Sequence, residues 1–179
     1  TLNILEDIGL VESDRIKCIQ NADPKGFGAN HNQAFAQCNT EYYCVLNPDI
    51  SFEENPFPKL IESSLAGNIG LVAPAVKNLS GKIEDSVRHF LTPITLLRRR
   101  LIGYRDGYQF NLGDSSFCAE WVGGMCMLFK SSVYQSINGF DEKYFLYVED
   151  VDICTRLWRA GYKVLVNPSA VVFHDARRA

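Results

Sequence analysis

Apolar residues recur along the chain in two alternating patterns, short unbroken runs and stripes at three-to-four spacing. Strands alternating with amphipathic helices leave that trace. Leu2, Leu5 and Ile8 stand at helical spacing ahead of Gly9 and predict a short helix tail over residues 1–10. Residues 16–19 (Ile-Lys-Cys-Ile) form a brief strand candidate. Pro24, Gly26 and Gly28 then break regular structure in the loop that starts at Asn21, and a helix is expected over residues 29–38. Tyr42 to Leu46 is aromatic and β-branched, good strand material. It stops at Asn47-Pro48-Asp49. Pro56 near its start and Gly67 past its end frame a helix over residues 56–66. Residues 70–76 read as a second buried strand.

Beyond Lys77 the pattern weakens, as far as about Ala119. This stretch holds Arg98-Arg99-Arg100 between Leu96-Leu97 and Leu101-Ile102. Residues 121–129 predict a strand with Gly123 and Gly124 inside it, and residues 131–137 a short helix. The best helix starts near Glu149-Asp150. Val151, Cys154, Leu157, Trp158 and Ala160 supply its apolar face, and Gly161 its end. Strands are expected over residues 162–166 and 170–173, on either side of Asn167-Pro168. Strand and helix alternating with short connections imply an α/β fold, a mainly parallel sheet flanked by helices. The chain contains no internal repeat, so residues 1–179 are expected to form a single domain.

Composition narrows the class without naming it. Hydrophobic residues make up 46% and charged residues 22%, which excludes disorder, collagen-like repetition and a disulfide-dense mini-protein. A net charge of −3 argues against nucleic acid as the main partner. No run approaches the ~20 apolar residues of a membrane span, and no signal-like segment opens the chain. Of the six cysteines, none forms a Cys-x-x-Cys pair and most have apolar neighbours. They are expected to be buried free thiols, which suits a reducing, cytoplasmic setting.

Four segments could carry chemistry. Asn47-Pro48-Asp49 directly follows a hydrophobic strand, where open α/β sheets bind ligands. An acidic residue there can hold Mg²⁺ or Mn²⁺, with phosphate oxygens and waters completing the shell. The tripeptide reads equally as a plain turn. Glu149-Asp150 with Asp152 opens a helix, where capping and dipole complementarity explain one or two carboxylates. Asp141, Glu142, Glu149, Asp150 and Asp152 make five within a dozen residues, more than capping needs. A carboxylate held there ionised can take a proton from an alcohol. His174 ends a strand and gains interest only if it meets Asp49. The loop from Asn21 to Asn32 could receive phosphate at a helix N-terminus, but it matches neither Gly-Lys-Ser/Thr nor the dinucleotide-binding glycine pattern.

Taken in order, these stretches resemble the inverting family 2 glycosyltransferases of the GT-A fold, in their bacterial rhamnosyltransferase-like branch. The resemblance rests on Asn21-x4-Gly-Phe-Gly-x-Asn-x-Asn, on Tyr-Cys-Val-Leu-Asn-Pro-Asp, and on Trp121-Val-Gly-Gly-Met-Cys-Met-Leu-Phe. It rests most on the long run from Gly139 through Tyr-Val-Glu-Asp-Val-Asp to Ala-Gly-Tyr, followed by the strand ending in His174. It implies transfer of a sugar from a nucleotide-diphosphate donor to a saccharide or lipid-linked acceptor, with inversion, in bacterial surface polysaccharide synthesis. Asp49 is then the metal-binding carboxylate for Mn²⁺ or Mg²⁺, with Asn47 where the family usually has a first aspartate. His174 completes the metal site. Asp150 is the catalytic base and Glu149 orients or binds the acceptor. Asn21, Gly26, Asn30, Asn47, Trp121, Gly123 and Gly124 lie on the donor and acceptor side.

The resemblance also implies that the first strand–helix–strand of the fold, ~40 residues by the usual size of such a unit, has no counterpart here. A catalytically impaired fragment acting as a binding or assembly module is the alternative. A nucleotidyltransferase of related sheet would need a Gly-rich basic phosphate loop, which the chain does not display. Arg98-Arg99-Arg100 could meet anionic lipid, a peripheral contact at the inner face of the membrane, or form a solvated face.

Overall fold

The computed structural model describes residues 16–103 and 107–175. The helix tail expected over residues 1–10 lies outside the described residues. In chain order the elements are α1 (Phe27–Phe35), β1 (Tyr42–Leu46), β2 (Ile50–Ser51), α2 (Phe57–Ser64), β3 (Ile69–Asn78) and β4 (Val87–Arg88). They continue with α3 (Pro93–Ile102), β5 (Phe117–Cys118), β6 (Trp121–Val122), β7 (Cys126–Lys130), α4 (Ser131–Ser136), α5 (Glu149–Arg159) and β8 (Lys163–His174).

The main sheet runs β1-β7-β3-β8-β2, with β5 added on β8, and a two-stranded β4-β6 ladder stands beside it. The sheet is mixed, which corrects the mainly parallel expectation. β3 and β8 pair in parallel, but β7 is inserted antiparallel between β1 and β3. The long strands β1, β3 and β8 therefore do point the same way, as strand–helix–strand alternation requires. Their direction was legible from neighbouring elements, whereas the insertion of a later strand between them is a non-local event.

β3 can be central because Ile69 to Val76 is buried throughout and carries no charge. On one sheet face Val45, Leu71, Met127, Phe129, Val164 and Val166 pack with Ile153, Cys154 and Leu157 of α5. On the other, Ile69, Val72, Leu128 and Ala170 pack against Leu60 of α2. Alternate residues of each strand thus serve opposite layers, and both faces need apolar side chains.

Four local expectations change. Residues 16–20 are exposed and irregular rather than a strand. The strand expected over residues 121–129 divides into β6 and β7, because the chain turns at Gly124-Met125. The two strands expected around Asn167-Pro168 are one, β8, with a register shift where Pro74 faces Asn167. Proline cannot donate to a ladder, so it is tolerated at such an irregular step. There Asn167 turns its amide to the Lys59 carbonyl and Ser63 Oγ at 3.3 and 2.8 Å, which ties the bulge to α2. Finally, only Cys126 and Cys154 are buried; Cys38 and Cys44 are half-buried and Cys18 and Cys118 exposed. Short apolar flanks do not measure depth in the fold.

Asn32 on α1 is the clamp between the first and last thirds of the chain. Its Nδ2 donates to the Phe140 carbonyl at 2.9 Å, and its Oδ1 accepts from Phe140 N–H at 2.9 Å and from the Tyr134 hydroxyl at 2.8 Å. Asn32→Ala orphans all three groups beside the buried ring of Phe140. Loss of about 1–3 kcal/mol is expected, read as a lower denaturation midpoint with an unchanged m-value.

Candidate active site

The C-terminal ends of β1, β3 and β8 lie on one side of the sheet, and the segments leaving those three ends meet there. Asn47-Pro48-Asp49 is indeed a turn, closed by Ile50 N–H to the Asn47 carbonyl at 3.2 Å. The turn and the cation reading do not compete, because this turn delivers Asp49 to the site. β2 leaves it pairing Ile50 with His174, and Asp175 N–H reaches the Asp49 carbonyl at 3.0 Å. Asp49 Oδ2 consequently lies 3.2 Å from His174 Nε2, so the expected meeting of these two residues occurs.

A third group, which the sequence did not reveal, holds the ring from behind. Glu84 Oε2 stands 2.9 Å from His174 Nδ1. Burial pulls the His174 pKa down, but the hydrogen bonds and charges of Glu84 and Asp49 outweigh it and leave it above the usual histidine value. Both ring nitrogens face carboxylates, Nδ1 toward Glu84 and Nε2 toward Asp49. Two donors facing each other at 3.2 Å lie close to the about 3 Å edge that neighbouring ligands span in an octahedron of Mg²⁺ or Mn²⁺. They suit a small hard cation. Among the described residues no group of three or more His, Cys, Asp or Glu converges on one point.

The second part of the site surrounds Asp150. The backbone before it enters α5 through Tyr147 and Val148, both at positive φ (70° and 73°). Such strain for non-glycine residues concentrates at functional positions. Asp150 Oδ1 accepts from Val151 N–H at 2.8 Å. Burial raises the Asp150 pKa above the ordinary carboxylate value, partly offset by backbone hydrogen bonds from Val151 and Gly124 and by the charge of Arg88. Glu149 is buried, its Oε2 has no hydrogen-bond partner among the described residues, and burial also raises its pKa, with the charge of Asp150 adding to the shift. The neighbouring acids have structural work instead. Asp152 pairs with Arg156 at 2.7 Å, Glu142 meets Asn32, and Asp141 accepts from Lys143 N–H.

Gly123 and Gly124 face this carboxylate. A Cβ at Gly123 would lie 4.0 Å from Asp150 Oδ2, and one at Gly124 would lie 3.3 Å from the Phe27 ring and 3.9 Å from Asp150 Cβ. A Cβ at Gly123 would also fall 2.8 Å from the Met125 side chain, so the two glycines let Met125 and Phe27 pack against the turn beside Asp150. Trp121 is held by its indole N–H to the His89 carbonyl at 3.0 Å, with the Arg88 guanidinium 5.8 Å from its ring centre. Arg88 is a further residue that sequence reasoning missed, its place set by β4 pairing with β6.

The two parts are joined. Asn47 N–H donates to the Met125 carbonyl at 3.0 Å, linking the Asp49 turn to the Gly124-Met125 turn beside Asp150. The Asn21 loop is less direct. Asn21 and Asn30 bond each other at 2.7 Å, and Asn30 also reaches the Lys25 carbonyl. A Cβ at Gly26 would fall 2.5 Å from the Phe145 carbonyl oxygen, so this glycine lets the loop lie against the segment leading into α5.

Sheet order, strand direction and a carboxylate–histidine group at the strand ends define a glycosyltransferase domain of the GT-A fold. A solved structure of GalNAc-T7 with UDP, GalNAc and Mn²⁺ shares the fold at TM-score 0.70 over 98% of this chain and 35% of that one, with 14% identity. The family model described as "Glycosyltransferase like family 2" matches residues 1–179, and the chain belongs to that family. It is 28% identical over 169 residues to the N-acetylglucosaminyl-diphospho-decaprenol L-rhamnosyltransferase of Mycobacterium tuberculosis, covering 83% of this chain and 55% of that protein. It is 29% identical over 164 residues to the rhamnosyltransferase WbbL of Escherichia coli K12, covering 84% and 61%. The chain thus spans under two thirds of the length of these relatives.

The sign of the Asp150 shift gives a stability test. A folded-state pKa raised above the unfolded value means folding favours the protonated acid. The penalty for ionising it sets in as pH rises through the unfolded and then the folded value. Asp150→Asn should therefore melt a few degrees higher than wild type at pH 7.5, with the gap closing near pH 3.5, below the ordinary carboxylate pKa of about 3.9. Thermal melts at the two pH values measure it.

Proposed function

We propose that this domain transfers a sugar from a nucleotide-diphosphate donor to a saccharide or lipid-linked acceptor with inversion at the anomeric carbon, in bacterial surface polysaccharide synthesis. The observation that carries this reading is the partly buried Asp150 carboxylate beside Gly123-Gly124, tied through Asn47 and Met125 to the Asp49–His174 pair. Relatives named for rhamnose transfer, one of them to N-acetylglucosaminyl-diphospho-decaprenol, support the acceptor class.

On this reading Asp49 and His174 hold Mn²⁺ or Mg²⁺. Bound there, such a cation would supply positive charge against the diphosphate leaving group. Asp150 accepts the proton of the acceptor hydroxyl as that oxygen attacks. Its burial matters here, because a carboxylate of raised pKa is a stronger base than one in water. Glu149 positions the acceptor from the adjacent helical position. Trp121 and Arg88 line the acceptor side. Attack from one face with departure from the other inverts the centre in a single step.

Location follows the acceptor: a cytoplasmic enzyme working at the inner face of the membrane. Among the described residues no helix is long and apolar enough to cross a bilayer. α3 supports a surface contact instead. Thr92 and Thr95 cap it reciprocally and Pro93 opens it. Ile94, Leu97 and Leu101 fall at i, i+3 and i+7 on this helix and are all exposed, within the stretch containing Arg98-Arg99-Arg100. Apolar residues on one stripe with basic neighbours suit an anionic lipid surface, at ~1 kcal/mol per basic residue near it.

Asp150→Asn is expected to cut transfer by at least about 10²-fold with donor affinity retained, whereas Asp49→Ala should remove the Mn²⁺-dependent part of donor binding in calorimetry. Retained turnover in the first variant, or unchanged metal dependence in the second, overturns the respective role. For the membrane contact, co-sedimentation with vesicles containing anionic lipid should fall at least tenfold in the Leu97→Asn/Leu101→Asn and Arg98–100→Ala variants. Equal sedimentation of either variant and wild type refutes it.

A further inference from the structure

The turn after β3 carries a group that neither the catalytic reading nor the family resemblance uses. Asn78, Ser80 and Gly81 bend the chain: Gly81 N–H reaches the Asn78 carbonyl at 2.9 Å and Ser80 Oγ reaches Asn78 Oδ1 at 2.7 Å. The returning strand bridges Ile83 to Lys77, and Glu84 N–H is fixed to the Val76 carbonyl at 2.8 Å. Because β3 pairs Asn78 with His174, this return brings Glu84 over the His174 ring. Its carboxylate meets Nδ1 at 2.9 Å, on the opposite side of the ring from Asp49. Glu84 is backbone-anchored, and it occupies the nitrogen that a metal-binding Nε2 leaves free.

We propose that Glu84 is a positioning residue: by accepting the Nδ1–H of His174 it fixes the ring orientation and the tautomer that presents the Nε2 lone pair toward Asp49. A neutral histidine carries one proton and can place it on either nitrogen. If Nε2 kept it, the ring would donate to Asp49 and could not ligate a cation between them. With Glu84 holding the proton at Nδ1, the lone pair faces Asp49, and a carboxylate on the far nitrogen also raises ligand basicity. The proposal rests on the cation reading of Asp49 and His174, and its test separates the two.

On the intact chain without metal, long-range ¹H–¹⁵N spectra at a pH where the His174 ring is neutral should give the Nδ1–H pattern in wild type. Glu84→Ala should shift it to Nε2–H. Glu84→Gln, whose amide oxygen still accepts, should retain Nδ1–H. In water-proton relaxation titrations with Mn²⁺ alone, Glu84→Ala should weaken binding about 10–100-fold and Glu84→Gln much less. In the His174→Ala background Glu84→Ala should change nothing further. A wild-type tautomer pattern and wild-type Mn²⁺ affinity in Glu84→Ala overturn the role of Glu84. If wild type and His174→Ala bind Mn²⁺ equally, the cation reading fails instead, and with it the purpose assigned to Glu84.

Discussion

The parallel pairing of β3 with β8 is the constraint on which the rest depends. Nine residue pairs run from Ile69–Lys163 to Asn78–His174, between strands distant in sequence. Each strand is apolar toward both helix layers, so the pair is stable only inside the sheet. Its register decides the chemistry. Asn78 opposite His174 means that the turn leaving β3 crosses the end of β8, and β2 reaches that end from the other side through Ile50. A one-residue slip would turn His174 to the other face and break its contacts with Glu84 and Asp49 together. The bulge at Pro74 and Asn167 limits such a slip, since Asn167 is locked to α2.

Asp150 illustrates the opposite economy, where stability is given up. Helix starts favour acids, yet this one is buried enough that its pKa rises despite hydrogen bonds from backbone N–H groups and a nearby arginine. Glu149 beside it is buried with an oxygen that has no hydrogen-bond partner among the described residues. Neither helps the fold. Two adjacent carboxylates held out of water, next to two residues at positive φ, are typical of a site that retains them for reactivity. Asp152, in the first turn of the same helix and paired with Arg156, shows how an acid looks when stability alone places it.

The legibility of each element in the sequence depends on the range of its signal. β1, α2, α4 and α5 were legible to within a few residues, because apolar spacing and Pro or Gly punctuation are local. The family resemblance brought Asp49 and His174 together across the chain, which periodicity could not. Glu84 and Arg88 stayed hidden for a different reason. Each stands in a stretch of weak pattern, and each gains its role from a neighbour paired across strands: His174 through the β3–β8 register, Trp121 through β4–β6. The insertion of β7 between β1 and β3 is likewise a pairing decision that no single segment encodes. α3 was missed as a helix for a simpler reason: its apolar stripe faces outward, so no core pattern announced it, although Thr92-Pro93 and Gly103 are ordinary helix boundaries.

Asn47 then acquires a meaning beyond a lost carboxylate. Its backbone N–H donates to the Met125 carbonyl, tying the turn that carries Asp49 to the turn beside Asp150. With asparagine there, a cation held on the proposed reading by Asp49 and His174 would get less charge from these positions than a pair of aspartates would give. Phosphate oxygens must supply the remainder. Cation and donor would therefore bind as a unit rather than in sequence, and the cation would be weakly held until the diphosphate arrives. The same deficit sharpens the demand on His174. When few ligands are available, each must be oriented in advance, and a ring held from behind by Glu84 meets that demand without adding negative charge to the face that receives the diphosphate.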